Sequence, residues 1–396
     1  MLRFSLFGAT ALSFFVLGSF ACSSSGSSSA SPTGPASTAD GGAGGQADAA
    51  TAAREPCPEG TRENGDACDT KLTFKSTADA LSPARDHHTT HIFDVGSDHY
   101  LYVFGGTPSW ATIYDDILRA KIGADGSLGA FESAGTIPHK RAGHMTARVK
   151  DKVILVGGST LSAGSMTISA TVDVGTFGAD GKISGWVDGP KMPEGVMHHT
   201  IAVVGDWLFV FGGRGQTTGA SVDQVLRAKL GDDGVPGAFE KLAPLPEKRS
   251  HAMTFQVGRW VYIAGGLTGD PVENPPSRSD IIRTTIGDDG SLGDWETVGK
   301  FPTGGLSVSA AQVFGRSVYF MGGLPGGSSY TKNVYTAHIS DDGSLGPVTA
   351  LPTKLPTARA HVHQTPVLGH NIYSVGGHLD SESSTGEVVV GTFAAP

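Results

Sequence analysis

The sequence predicts an all-β protein assembled from six copies of one unit, on three observations. Glycine accounts for 57 of the 396 residues, about twice its usual share of roughly 7%. Charged residues make up 17% of the chain, below the usual share of about 25%, which argues against a coiled coil or a charged disordered chain. A Gly-Gly pair recurs at intervals of 52, 55, 53, 57 and 54 residues. Frequent turns between short apolar runs indicate many short strands.

Each Gly-Gly pair follows an apolar run such as YLYVF, WLFVF or SVYFM, which predicts a buried strand. A further apolar stretch and an acidic-Gly turn of the type DDGSLG come later in the unit, and Asp-Gly suits a tight hairpin. Four strands are therefore expected per unit. In the fourth unit they are expected at residues 251–257, 260–264, 279–285 and 295–298. We expect the glycine pair where neighbouring units approach too closely for a Cβ atom.

The Gly-Gly period and the aromatic-aliphatic strand before each pair resemble the kelch repeat, a four-stranded propeller blade of about 50 residues. The resemblance covers residues 71–396 and implies a six-bladed β-propeller. The turn Asp-Gly-Ser-Leu-Gly-x-Trp departs from the commonest kelch pattern and looks like a bacterial variant.

The last unit is incomplete, because only one strand, at residues 387–393, follows its Gly-Gly pair. An unassigned strand at residues 72–76 precedes the first unit, in a segment that aligns with residues 348–359. We therefore predict that the N-terminal strand supplies the fourth strand of the last blade and closes the ring.

Residues 1–21 are predicted to be a signal peptide, with Arg3 before an apolar segment at residues 4–21. A membrane helix at the lower limit of length is the alternative. The segment Ser19-Phe20-Ala21-Cys22 resembles a bacterial lipobox, which implies lipidation at Cys22. Ser19 and Phe20 depart from the preferred Leu and small residue, so ordinary cleavage nearby stays open.

Residues 22–55 are predicted to be a flexible tether, because residues 23–53 contain no aromatic residue and no Leu, Ile or Val. Residues 56–70 hold Cys57 and Cys68, which in an exported chain are expected to form a disulfide. The protein is predicted to lie in the cell envelope, where a lipid would anchor it at the outer membrane or cell surface. Ser23 weakly favours the outer membrane.

Arginine and histidine residues cluster where the first strand of most units begins, at one mouth of the expected channel. Guanidinium groups match carboxylates, which favours an anion or acidic-sugar site. The alternative is a structural role. The repetition of the arginine and histidine pattern in nearly every blade supports this alternative. The candidate ligand-binding residues are Arg85, His88, Arg141, His144, His198, Arg249, His251, Arg359 and His361.

A metal site could be built from His361 and His363 with His87 and His88 of the adjacent blade. Because few carboxylates accompany them, we predict no metal site and no cofactor. The remaining histidines considered are expected at the surface, namely His91, His99, His139, His338, His370 and His378.

The predicted function is binding of a glycan or a surface protein by a monomer. The net charge of −9 argues against nucleic acid. A kelch copper oxidase is excluded because no cysteine follows Cys68, and the acidic turns differ in register from sialidase Asp boxes. The loop at residues 267–278 is the expected contact. The alternative is a carbohydrate-active enzyme, such as an epimerase or lyase on acidic sugars, although no catalytic motif is recognised.

Overall fold

A computed structural model describes residues 62–64, 67–69, 71–77, 80–109, 111–162, 164–269, 277–302, 304–326, 329–380 and 383–394. The chain divides into a unit of residues 1–55 and a unit of residues 56–396, and every described residue belongs to the second. The predicted signal peptide, the tether, Cys22, Cys57 and the side chain of Cys68 lie outside the described part. Within the described residues, no helix is long and apolar enough to cross a membrane.

Six antiparallel four-stranded sheets form the blades of a six-bladed β-propeller, so the predicted fold class is confirmed. In each blade the strands pair in the order first, second, third and fourth, from the axis outward. Blade 1 comprises Thr89–Val95, Asp98–Phe104, Asp116–Ile122 and Glu132–Thr136. Blade 2 comprises Met145–Val149, Lys152–Val156, Val172–Phe177 and Ile183–Asp188. Blade 3 comprises Thr200–Val204, Trp207–Phe211, Val225–Lys229 and Glu240–Lys241. Blade 4 comprises Met253–Val257, Trp260–Ala264, Asp280–Thr285 and Glu296–Lys300. Blade 5 comprises Ala310–Phe314, Ser317–Met321, Asn333–His338 and Thr349–Lys354. Blade 6 comprises Val367–Leu368, Asn371–Val375, Val388–Phe393 and Leu72–Thr77.

Three short two-stranded pairings accompany the blades. They are Arg62–Asn64 with Ala67–Asp69, Ser159–Ser162 with Ser165–Ile168, and Val196–Met197 with Arg214–Gly215.

The N-terminal strand closes the last blade, as predicted. Leu72–Thr77 pairs antiparallel with Val388–Phe393, and Leu72 lies opposite Phe393. Both of these side chains are buried against the neighbouring blade, in a cluster that contains Tyr319 and Met321. The first and last described strands of the propeller are therefore held in one sheet.

The Gly-Gly pairs join neighbouring blades, which confirms the expected close approach. The second glycine of each pair donates its N–H to a carbonyl of the next blade, as Gly266 does to Leu306 at 2.8 Å. The equivalent bonds are Gly106 to Arg141, Gly158 to Val196, Gly213 to Arg249, Gly323 to Arg359 and Gly377 to Arg85. A Cβ atom on the first glycine would lie 2.0 to 2.6 Å from the same carbonyl oxygens. These six contacts therefore require glycine.

The acidic-Gly hairpins also connect blades. The hydroxyl groups of three buried tyrosines donate to carbonyl oxygens in the hairpin of the next blade. These bonds are Tyr102 to Gly181 at 2.7 Å, Tyr262 to Gly343 at 2.5 Å and Tyr373 to Gly126 at 3.0 Å. Three of the six junctions between blades are thus held by a tyrosine bond in addition to the Gly-Gly contact.

Candidate functional site

A closed ring of six backbone hydrogen bonds surrounds the propeller axis. Each blade contributes one residue shortly before its first strand, and its N–H donates to the carbonyl oxygen of the corresponding residue in the preceding blade at 2.8 to 3.2 Å. We call this the axial ring. Its members are His87, Gly143, His198, His251, Val308 and His361.

All six members of the axial ring adopt a left-handed backbone conformation, with φ between 51° and 63°. Glycine accepts this conformation freely, as at Gly143, but other residues are strained there by about 1–3 kcal/mol. Five non-glycine residues nevertheless occupy the ring, and four of them are histidines. Conformations of this kind concentrate at functional sites, so the ring is the natural place to search for one.

The ring histidines bring their imidazoles together at the axis. The ring centroids of His87 and His361 are 4.0 Å apart, and those of His198 and His251 are 3.9 Å apart. His363, two residues beyond His361, lies 5.7 Å from both His87 and His198. We call these five residues the axial histidine cluster.

Four members of the cluster form a compact set of potential ligands. One ring nitrogen from each of His87, His198, His361 and His363 lies within 4.8 Å of all the others. The sequence suggested His87, His88, His361 and His363 as possible metal ligands, but not His198. Blade 3 is not adjacent to blade 6, and only ring closure brings its histidine across the axis.

A buried carboxylate orients one of these imidazoles. His87 Nδ1 is hydrogen-bonded to Asp86 Oδ1, and the Ser384 hydroxyl donates to Asp86 Oδ2 at 2.7 Å. Burial would raise the pKa of Asp86, but His87 and Ser384 hold it below its usual value. Asp86 therefore stays ionised, and it fixes the ring of His87.

Burial disfavours the charged form of four of the axial imidazoles. It lowers the pKa values of His198, His251 and His361 well below the ordinary value, and it lowers that of His363 to about 3. Neighbouring histidines add to the effect, because a charge on one imidazole would repel a charge on the next. A neutral imidazole keeps one nitrogen lone pair available for a ligand.

The four predicted arginines lie inside the blades instead of at the axis. Arg85, Arg141, Arg249 and Arg359 are each no more than 2% exposed. Each donates to the carbonyl oxygen of a Gly-Gly pair, at 2.9 to 3.2 Å, and forms an ion pair. Their carboxylate partners are Asp116, Asp173, Asp280 and Glu387 respectively. These guanidinium groups brace the blade, as in the structural alternative, and we do not retain them in the site.

His88 and His144 occupy a second structural layer, together with His199. They follow the axial-ring position and are 1%, 0% and 2% exposed respectively. A Cβ built on Gly106 would lie 2.7 Å from the Cβ of His88, and Gly158 faces His144 in the same way. Of the predicted ligand-binding residues, only His198, His251 and His361 reach the axis.

A cavity of about 680 Å³ opens above the axial histidine cluster, and we call it the mouth cavity. Its floor is formed by the four ring histidines, and its walls come mainly from loops that follow the Gly-Gly pairs. The wall residues are Asp86, Thr107, Pro108, Ser109, Met166, Arg214, Tyr330 and His378. A smaller cavity of about 210 Å³ includes His363 in its lining, so the cluster lies between two cavities.

Arg214 and Tyr330 were not identified from the sequence, and three histidines expected at the surface lie elsewhere. His91 lines the smaller cavity, and its Nε2 is hydrogen-bonded to the Thr146 carbonyl at 2.9 Å. His378, expected at the surface, lines the mouth cavity and is hydrogen-bonded to the Tyr330 hydroxyl at 3.0 Å. His338, also expected at the surface, is 3% exposed. Arg214 directly follows a Gly-Gly pair, and this position could have indicated the mouth. Within the predicted contact loop at residues 267–278, residues 270–276 lie outside the described part.

The second-layer histidines make stability depend on pH. Burial lowers the pKa of His88 to about 3, whereas an unfolded histidine titrates near 6.5. Below pH 6.5 the unfolded chain therefore binds a proton that the folded chain excludes, and stability falls as the pH is lowered toward about 3. Between pH 7.5 and 5.5 the loss due to His88 is about 1.4 kcal/mol.

The predicted effect of His88 is tested by urea unfolding of the metal-free wild type and of His88→Gln at pH 7.5 and at pH 5.5. The variant should lose about 1.4 kcal/mol less than wild type over the interval, because its amide does not titrate. Contributions from carboxylates cancel in the comparison. Equal losses in the two proteins would contradict a buried neutral His88.

No protein-family model matches the chain. Among solved structures, the chain is similar to one titled "Structure of YjhT", with a TM-score of 0.62 and 13% sequence identity. The match covers 78% of this chain and 95% of that one. At this identity the likeness bears on the fold, and it supports the six-bladed β-propeller.

Proposed function

We propose that the protein binds a polar, glycan-sized ligand in the mouth cavity. The observation that carries this proposal is the cavity itself, whose volume of about 680 Å³ falls within the range of roughly 300–1,000 Å³ typical of small-molecule sites. A concave site of this size favours a small glycan over the flat surface of a protein partner.

The walls of the mouth cavity present fixed polar groups. Arg214 Nε donates to the Gly219 carbonyl at 2.8 Å, which positions its guanidinium group. The backbone N–H of Tyr330 donates to Asp380 Oδ1 at 2.8 Å, and its hydroxyl meets His378. A guanidinium beside hydroxyl and imidazole groups complements a sugar that carries a carboxylate. An acidic sugar is therefore the preferred ligand class.

The proposed setting is the cell envelope. Cleavage after residue 21, lipidation of Cys22 and a tether at residues 22–55 would present the propeller at the outer membrane or cell surface. A Cys57–Cys68 disulfide would close the segment between tether and propeller. The protein would act as a monomer without nucleic acid.

A catalytic role is the second candidate, and the Asp86–His87 pair favours it. A buried carboxylate that orients an imidazole at the floor of a cavity is an arrangement used for general-base catalysis. It would suit an epimerase or lyase that removes a proton from an acidic sugar. Turnover of a bound sugar distinguishes this candidate from a binding protein.

Calorimetric titration of the full chain with acidic sugars, neutral sugars and cell-wall fragments tests the proposal. An acidic sugar should bind, and Arg214→Gln should weaken it about 10-fold or more, as expected for the loss of one charged hydrogen bond. The control is Arg316→Gln, an exposed arginine paired with Asp341, which should leave the affinity unchanged. Absence of binding by every sugar, or full affinity in Arg214→Gln, would contradict the proposed site.

A further inference from the structure

We propose that four of the five members of the axial histidine cluster form a metal site, in which His87, His198, His361 and His363 hold one divalent transition-metal ion of the zinc or copper class. This inference stands on the geometry at the axis and does not depend on the ligand of the mouth cavity. It replaces the sequence-based expectation that the chain has no metal ligands.

The positions of the four imidazoles suit a four-coordinate ion. Their ligand nitrogens lie within 4.8 Å of one another. Metal–nitrogen bonds of about 2.0–2.1 Å in a tetrahedron place the nitrogens about 3.4 Å apart. Binding of one ion would therefore draw the four nitrogens closer together. Three of the four backbones are fixed by the hydrogen bonds of the axial ring, which prearranges the site.

The chemistry of the donors selects the class of metal. All four ligands are imidazoles, which suit zinc, copper and nickel, whereas calcium and magnesium require oxygen ligands. Among the described residues, His361 Nδ1 and His363 Nε2 are buried without a hydrogen-bond partner. Buried polar atoms are normally satisfied, and coordination would satisfy nitrogens of this kind.

A second, independent observation is the carboxylate behind His87. Metal-bound histidines commonly hydrogen-bond through their other ring nitrogen to a carboxylate, which orients the ring and raises its basicity. Asp86 makes this bond to His87 Nδ1 and is itself held by Ser384. His87 Nε2 is then the nitrogen that can meet an ion. The negative charge of Asp86 also offsets part of the charge of a divalent cation.

The axial ring provides a matched control at His251. This residue has a φ of 54°, close to the 55° of His361, and its imidazole stacks on His198. It is not part of the four-ligand set. Gly143 shows that the ring accepts glycine, so His251→Gly and His361→Gly should both preserve the backbone. His363 lies outside the ring, and His363→Gln tests the site without altering a left-handed residue.

The test uses the untagged full chain, freed of metal with EDTA and titrated with ZnCl₂ by calorimetry. We expect one zinc ion per wild-type chain. His361→Gly and His363→Gln should each weaken binding about 100-fold or more, because loss of a ligand costs at least as much as loss of a group that only orients a ligand. His251→Gly should stay within about 3-fold of wild type. Zinc should raise the melting temperature of wild type and His251→Gly but not of His361→Gly. Cu²⁺ in place of zinc should give an electron paramagnetic resonance spectrum with splitting from coordinated nitrogens.

Circular dichroism in EDTA shows whether each variant is folded. If His361→Gly is unfolded, the zinc affinity of His363→Gln tests the site instead. The proposal is overturned if wild type binds no zinc stoichiometrically. It is also overturned if both ligand variants bind as wild type does, since the ion then lies elsewhere. An equal loss in His251→Gly and His361→Gly would show that the cluster is packing alone.

Discussion

Replacing Asp173 by alanine should lower the free energy of unfolding by about 3–5 kcal/mol, because it removes one partner of a buried ion pair. The side chains of Arg141 and Asp173 are 1% and 0% exposed, and they form an ion pair inside blade 2. Arg141 also donates to the Gly157 carbonyl at 3.0 Å, which keeps the guanidinium in place. In the variant this charge stays buried without its carboxylate. Urea denaturation at pH 7 measures the loss.

The control for this prediction is an exposed ion pair in the next blade. Arg227 and Glu240 are 2.9 Å apart, and the Glu240 side chain is 60% exposed. Glu240→Ala should therefore cost no more than about 1 kcal/mol. If the two substitutions cost the same, burial does not set the contribution of the arginine–carboxylate pairs, and their role as internal braces is wrong.

Gly265→Ala should also destabilise the propeller strongly, by about 3 kcal/mol or more. The new Cβ would lie 2.0 Å from the Leu306 carbonyl oxygen of the next blade, so the backbone must move. That movement weakens the hydrogen bond from Gly266 to Leu306, and loss of a buried bond costs about 1–3 kcal/mol. The left-handed conformation of Gly265 adds about 1–2 kcal/mol of strain for alanine. Thermal and urea unfolding measure the total.

Gly258→Ala in the same blade separates these two effects. Gly258 has a φ of 56°, close to the 59° of Gly265, but nothing lies within 4 Å of its added Cβ. It should therefore show only the strain of about 1–2 kcal/mol. A difference between the variants reports the contact between blades. Equal losses would mean that conformation, and not close approach, explains the Gly-Gly pairs.

The fold was predictable from the sequence because every blade repeats the same local signals. The second strand of blade 4 was predicted at residues 260–264 and lies at Trp260–Ala264. The first strand was predicted from residue 251 but begins at Met253. The difference has a physical cause, because His251 is in the left-handed axial ring. Strand propensity does not reveal a backbone conformation that ring closure imposes.

The site was only partly predictable, because its residues meet through closure of the ring. The repeated arginines were visible in the sequence, but their burial beside acids of the third strand depends on packing within the blade. His198 joins His361 and His363 across the axis, and no spacing along the chain encodes that distance. Arg214 and Tyr330 reach the mouth cavity from different blades. They carry no common motif, which is typical of a site that occurs once in a repeated fold.

The closing strand also constrains the order of folding. Thr73 contacts Thr392, a partner 319 residues later in the sequence. During synthesis, Leu72–Thr77 is made before the other described strands of the propeller and must wait for Val388–Phe393, the last of them. An unpaired strand in a nascent chain is open to wrong partners, and contacts of such separation form slowly. Pairing of these two strands completes the ring. The emerging chain therefore most needs protection from aggregation in the period before this pairing forms.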